Sequence, residues 1–114
     1  MQKQNYKGKC EKRTLSKCEG TCRTYSDIAT QYALKLETAA DIESFRCNVP
    51  LEGLADGDYT SDFVCKKTNG DLMVCECVRK EHLTKPLTVK LLDVSLSFWT
   101  RRGVKDWRII INEE

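Results

Sequence analysis

The chain has 114 residues, which is enough for one domain with a single modest core. Its 19 Lys and Arg residues against 17 Asp and Glu residues give a net charge of +2, which excludes a uniformly basic or acidic protein. No apolar run approaches membrane-spanning length, and the start of the chain contains no apolar signal core. We therefore expect a cytoplasmic protein without a membrane partner.

Positive charge is concentrated at the start of the chain. Residues 1–23 carry seven Lys or Arg residues and two acids, whereas the remainder carries twelve against fifteen. We predict a basic N-terminal arm at residues 1–24 and a single domain at residues 25–114. A basic arm suits a polyanion such as DNA, although a solvated terminus has the same composition. The arm residues predicted to contact DNA are Lys12, Arg13, Lys17 and Arg23.

Seven cysteines, an odd number in a chain without an export signal, indicate free thiols rather than a disulfide framework. Cys10, Cys18 and Cys22 are candidate zinc ligands, with Cys47 as a fourth. Their spacings differ from those of the common zinc knuckles, so the pattern does not favour a structural zinc.

The first regular elements follow the arm. Ser26 is a typical N-cap, and the apolar spacing after it predicts a helix over residues 26–37. Residues 42–51 are predicted as a strand that ends near Pro50, and residues 52–58 as a loop.

A β-hairpin at residues 59–80 is the central element, and its register depends on the turn. If Asn69 and Gly70 form a two-residue turn, Asp62 and Glu76 lie on opposite faces. If Thr68 joins the loop and Gly70 adopts a left-handed bulge, the two acids lie opposite each other, roughly 5 Å apart. We favour the second register, because paired carboxylates offer the oxygen ligands that Mg²⁺ prefers.

The chain closes with a second helix and a strand. We expect Thr84 to cap this helix, Pro86 to lie in its first turn, and Gly103 to end it. A strand over residues 107–111 reached through this helix can lie parallel to the arm that carries Glu76. These elements predict an α/β (or α+β) domain with a mixed central sheet of about four strands and a helix on either face.

Several segments together resemble one enzyme family. The order of elements is that of the PD-(D/E)xK nuclease superfamily, with its restriction-endonuclease-like core. The amino-acid sequence over residues 22–112 is similar to that of TnsA-like transposon endonucleases. The segments that carry this resemblance are SDFV at 61–64, MVCECV at 73–78, LTKP at 83–86, FW at 98–99 and DWR at 106–108.

The resemblance implies a metal site and its ligands. In this family a helix Glu, a hairpin Asp and a strand acid surround the metal, and a Lys two residues after the strand acid assists the attacking water. Asp62 matches the hairpin Asp and Glu76 the strand acid, so both would hold Mg²⁺ and act in catalysis.

Two family positions are not kept. The lysine position falls on Val78, and the helix glutamate falls on Ala29, or on Thr30 if the alignment shifts by one. Lys80 shares the face of Val78 and is the candidate replacement for the missing lysine.

These observations predict a DNA-associated protein of a mobile element or phage that keeps a TnsA-like nuclease fold. It would bind DNA, or a protein partner such as a transposase subunit, with weak or no cleavage. One alternative is an active Mg²⁺-dependent endonuclease, and another is a protein-interaction module such as an inhibitor or assembly factor. Further predicted DNA contacts lie at the hairpin ends, on Lys66, Lys67 and Arg79.

Overall fold

The computed structural model describes residues 2–3, 10–52 and 59–112. Residues 53–58 of the predicted loop over residues 52–58, and residues 1 and 4–9 of the predicted arm, lie outside the described residues. The strands are β1 (Gln2–Lys3), β2 (Glu11–Arg13), β3 (Cys22–Thr24), β4 (Ile42–Pro50), β5 (Tyr59–Lys67), β6 (Leu72–Cys77) and β7 (Asp106–Ile110). The helices are α1 (Asp27–Thr38), α2 (Pro86–Arg101) and a short 3₁₀ turn at Lys80–His82.

The central sheet has the strand order β4–β5–β6–β7, and β1 adds a short pairing to β5. The neighbours β4, β5 and β6 are antiparallel, whereas β7 lies parallel to β6. This arrangement confirms the predicted α+β class, the mixed sheet and the parallel final strand.

The two faces of the sheet bury separate apolar clusters. Phe63 and Cys75 pack on one face with side chains of α1, whereas Val64 and Val74 pack on the other face with side chains of α2. Alternation along β5 and β6 produces this division, since successive side chains of a strand point to opposite faces. The predicted placement of a helix on each face is therefore confirmed.

The alternation in β4 is interrupted by a register shift between Ile42 and Ser44 and again at Asn48. Phe45 and Val49 would share a face in a regular strand, yet Phe45 packs on the α1 side and Val49 on the α2 side. Asn48, between them, has φ of 54°, a left-handed conformation that asparagine tolerates better than most residues. The side chain of Asn48 donates a hydrogen bond to the carbonyl of Arg23, which links β4 to β3 (2.8 Å).

The helix ends follow the predicted signals with one difference. Ser26 caps α1, because its hydroxyl accepts a hydrogen bond from the backbone N–H of Ala29. At α2 the N-cap is Lys85 rather than Thr84, since Pro86 takes the first helical position and keeps the preceding residue extended. Neither described helix combines the length and the apolar character needed to cross a bilayer.

Residues 10–24, within the predicted arm, pack against the domain. Cys18 forms a parallel bridge with Phe45 at the edge of β4. The carboxylate of Glu37 at the end of α1 accepts hydrogen bonds from the backbone N–H groups of Ser16 and Lys17, both at 2.9 Å. These contacts cover a sheet edge that would otherwise expose unpaired backbone groups.

Candidate functional site

The hairpin adopts the register that places Asp62 opposite Glu76. The backbone N–H of Lys67 donates to the carbonyl of Asp71, and Gly70 has φ of 93°. The predicted three-residue loop with a left-handed glycine is thereby confirmed.

Asp62 and Glu76 lie where β5 and β6 stop pairing regularly. The last paired residues of these strands are Phe63 and Cys75, although β6 continues beside β7 as far as Cys77. One residue further, Oε1 of Glu76 accepts a hydrogen bond from the backbone N–H of Asp62 (3.0 Å). Oδ2 of Asp62 accepts one from the backbone N–H of Cys77 (2.7 Å). The two carboxylates thus satisfy buried backbone donors that the ladder no longer pairs.

The second oxygen of Glu76 is held by two hydroxyls. Oε2 accepts hydrogen bonds from Ser61 of β5 (2.7 Å) and from Ser95 of α2 (2.5 Å). Each hydroxyl oxygen in turn accepts an indole N–H, Ser61 from Trp99 (2.8 Å) and Ser95 from Trp107 (3.0 Å). We call this set of hydrogen-bonded side chains the Glu76 network; it consists of Glu76, Ser61, Ser95, Trp99 and Trp107. Both carboxylate oxygens of Glu76 accept hydrogen bonds from donors within the protein.

Burial determines the charge of Glu76. The side chain has 0% exposure, and Asp62 retains 4%. Removal from water, together with the nearby charge of Asp62, raises the pKa of Glu76 to about 7, although the hydrogen bonds from Ser95 and Ser61 oppose the shift. Within the described part of the chain, no Lys or Arg forms an ion pair with Glu76. Near neutral pH the carboxyl group therefore exchanges between its neutral and its charged form.

The other catalytic positions that the nuclease resemblance implied hold apolar residues, and the candidate replacement lysine is exposed. Val78 is buried, and its backbone N–H donates to the carbonyl of Ile110. Ala29 lies in the apolar cluster on the α1 side. Lys80 is exposed in the 3₁₀ turn, where its backbone N–H donates to the side chain of Asn112 (2.8 Å). Among the described residues, no ion pair joins Lys80 to Glu76.

Most of the basic residues predicted to contact DNA are engaged within the chain. Four of them form ion pairs, which join Arg13 to Glu11, Lys66 to Glu43, Lys67 to Asp106 and Arg79 to Glu81. The ammonium group of Lys17 donates to the carbonyl of Ala39 (2.6 Å). The exposed pairs of Lys66 and Arg79 contribute little stability, so an anionic ligand could compete for these two side chains.

Lys12 and Arg23 have a different environment. They are direct partners in the β2–β3 ribbon, and both are exposed. Within the described part of the chain, neither forms an ion pair with an acid. The ribbon therefore presents two adjacent positive charges to solvent.

Three cysteine thiols form a second candidate site, because together they could hold a metal ion. The sulfur atoms of Cys18, Cys22 and Cys47 all lie within 4.8 Å of one another. The hydrogen bond from Cys47 lowers the pKa of Cys22 to about 7, whereas burial raises the pKa of Cys18 to about 11. Cys10, the remaining candidate zinc ligand from the sequence, is exposed and lies outside this group.

Sequence reasoning did not find Ser61 and Ser95 as the partners of Glu76. The signal that could have indicated Ser95 is its position on the apolar face of α2, between Leu92 and Phe98, where a small polar residue suggests a buried acceptor. Ser61 carries no comparable signal, because regular alternation in β5 would place it on the face opposite Glu76.

The comparisons with known proteins assign neither a family nor a function to this site. No family model matches the chain, and no curated protein matches it.

Proposed function

We propose that this chain is a DNA-associated protein of a mobile element or phage, with a TnsA-like nuclease fold and with weak or no cleavage. It acts in the cytoplasm and binds DNA or a protein partner such as a transposase subunit. The fold serves as a scaffold for binding, and the acids of the former catalytic position stabilise the sheet.

The enclosure of Glu76 carries this proposal. Mg²⁺ requires nearly octahedral oxygen ligands and usually keeps several waters. Both oxygens of Glu76 already accept hydrogen bonds from protein donors, and the side chain has no exposed surface. A metal bound to Glu76 would have to displace the hydroxyls of Ser61 and Ser95 and admit water beside two tryptophans.

The neighbouring positions support the same conclusion. Ala29 and Val78 supply neither the acid nor the ammonium group that the family resemblance requires. Loss of both would remove a metal ligand and the cation that assists the attacking water.

The support for DNA as the partner comes from the β2–β3 ribbon. Lys12 and Arg23 are exposed, adjacent and not engaged by a described acid. Positive side chains placed in this way can contact phosphates and release counterions from DNA.

A plasmid assay tests the absence of cleavage. Supercoiled plasmid is incubated with Mg²⁺ or Mn²⁺ and the wild-type protein, beside the Asp62→Asn and Asp62→Ala variants. We expect no nicking above the protein-free control for any of the three. Conversion of most of the plasmid by the wild type, but not by the Asp62→Asn variant, would contradict the proposal. Circular dichroism checks that the variant is folded.

A salt titration tests the DNA association. We expect the affinity for duplex DNA to fall linearly on a logarithmic scale as salt rises, because phosphate contacts release counterions. Affinity that is absent, or that does not change with salt, would contradict DNA binding.

Two other functions have specific support. The register of Asp62 and Glu76 favours an active endonuclease, in which Lys80 would replace the missing lysine. Exposed apolar side chains on α2 favour a protein-interaction module, since Leu87 is 58% and Val89 51% exposed. Efficient nicking that depends on Asp62 would favour the endonuclease. DNA affinity that is absent or insensitive to salt would favour the protein-interaction module.

A further inference from the structure

Three thiols from separate segments converge at the edge of β4. Cys18 bridges to Phe45, Cys22 is the first residue of β3, and Cys47 lies within β4. The sulfur of Cys47 lies 3.3 Å from that of Cys22 and 3.7 Å from that of Cys18. Cys18 and Cys22 are buried, whereas Cys47 is half-buried.

These distances fit a thiophilic metal. Zinc binds thiolates at about 2.3 Å in a tetrahedral arrangement, which separates the sulfurs by about 3.8 Å. The Cys18–Cys47 separation already agrees with this value, and the Cys22–Cys47 separation requires a shift of a few tenths of an ångström. Such a shift lies within the reach of a side-chain rotation.

The backbone around the thiols is fixed by hydrogen bonds. The backbone N–H of Phe45 donates to the carbonyl of Lys17, and that of Glu19 donates to the carbonyl of Phe45, both at 2.9 Å. The side chain of Asn48 holds the carbonyl of Arg23, one residue after Cys22. The three sulfurs are therefore positioned before any metal arrives, which lowers the conformational cost of binding.

Arg13 provides an independent indication that an acceptor belongs here. Arg13 is the direct partner of Cys22 in the β2–β3 ribbon. Its terminal nitrogen pairs with Glu11, but its Nε is buried and has no hydrogen-bond acceptor among the described residues. Zinc with three thiolates carries a net charge of −1, and a neighbouring guanidinium can both balance this charge and donate to a thiolate.

We propose that Cys18, Cys22 and Cys47 bind one Zn²⁺ ion as thiolates, with water or a small anion as the fourth ligand. Three Zn–S bonds replace bonds from zinc to water, and the protons of the bound thiols are released to solvent. The ion would tie residues 18–22 to β4. This site is independent of the proposed DNA association and of the Glu76 network.

Titration of the reduced, metal-free protein tests the site. Zn²⁺ is added in competition with a chromophoric chelator, and Co²⁺ is added separately as a spectroscopic probe. We expect one equivalent of each metal to bind, with proton release on Zn²⁺ binding and a thiolate-to-cobalt charge-transfer band. We also expect Zn²⁺ to raise the melting temperature, because the folded state holds the three thiols together and binds the ion more tightly than the unfolded chain does.

Variants assign the ligands. Cys18→Ser, Cys22→Ser and Cys47→Ser should each abolish stoichiometric binding, whereas Cys10→Ser should retain it as the matched control. Arg13→Gln should weaken the affinity about tenfold, as expected for a residue that supports a ligand.

Alkylation of the wild type keeps the test independent of variant folding. Zn²⁺ should slow the alkylation of Cys47, the half-buried ligand, by iodoacetamide, while Cys10 remains reactive in peptide mass spectra. Failure of the folded, reduced wild type to bind either metal would overturn the proposal. Stoichiometric binding by Cys47→Ser would also overturn it.

Discussion

Asp62 and Glu76 each place a carboxylate oxygen against a backbone N–H of the opposite strand. Glu76 accepts from Asp62 itself, and Asp62 accepts from Cys77. These contacts occur where the β5–β6 ladder ends, so the two acids replace hydrogen bonds that the backbone would otherwise lose. A pair of acids that suggests a metal site in the sequence thus has a structural role in the folded chain.

Removing one hydroxyl from the Glu76 network should destabilise the protein. Ser95→Ala leaves the indole N–H of Trp107 without its acceptor and takes a donor from Glu76. We expect a loss of about 2 kcal/mol in the free energy of unfolding, measured by urea denaturation. Ser97→Ala, at a half-buried position of the same helix, is the matched control and should change stability much less. Equal effects of the two substitutions would contradict the importance of the network.

The raised pKa of Glu76 predicts a specific pH dependence. Folding raises this pKa from 4.5 to about 7, so the folded state binds the proton more tightly than the unfolded state does. The stability from this group is full below about pH 4.5 and is lost as the pH rises through about 7. The loss is on the order of 3 kcal/mol, at about 1.4 kcal/mol for each pKa unit.

Urea denaturation between about pH 5 and about pH 8 measures this effect. Glu76→Gln should remove the loss of stability that the wild type shows over this range. Glu37→Gln is the control, because the hydrogen bond from Ser16 lowers the pKa of Glu37 and its titration falls below the range. A wild type and a Glu76→Gln variant with the same pH profile would refute the assignment.

Substitutions of Asn48 by alanine and by glycine should destabilise the protein by different amounts. Asn48→Ala loses the hydrogen bond to Arg23 and places an alanine at a φ of 54°, so we expect a cost of about 2 kcal/mol. Asn48→Gly loses the same hydrogen bond without the strain and should cost less than half as much. Thermal unfolding compares the two, and a glycine variant less stable than the alanine variant would contradict the role of the left-handed conformation.

Lys12 and Arg23 should carry part of the DNA affinity. Replacing both with glutamine removes two potential phosphate contacts, and the slope of log affinity against log salt should decrease by about 2. Lys66→Gln is the control, because Lys66 is paired with Glu43 and should change the slope less. An unchanged slope in the double variant would exclude the β2–β3 ribbon as the binding surface.

The sequence by itself determined the main elements and limited the hairpin to two registers, between which the structure decided. Asn69 and Gly70 encode a turn, alternation assigns the faces of β5 and β6, and Pro86 with Gly103 bounds α2. These signals are local: each depends on the conformational preferences of a few neighbouring residues. For that reason they could be read before the fold was known.

Tertiary structure alone decided what the acids and the thiols can do. Glu76 is enclosed because Ser61 and Ser95 reach it from β5 and α2, and no spacing rule in the sequence links these three residues. Cys47 meets Cys18 only because residues 15–24 cover the edge of β4, so ligand spacing along the chain could not predict their contact. Burial and hydrogen bonding depend on which segments pack together, and packing is a property of the whole chain.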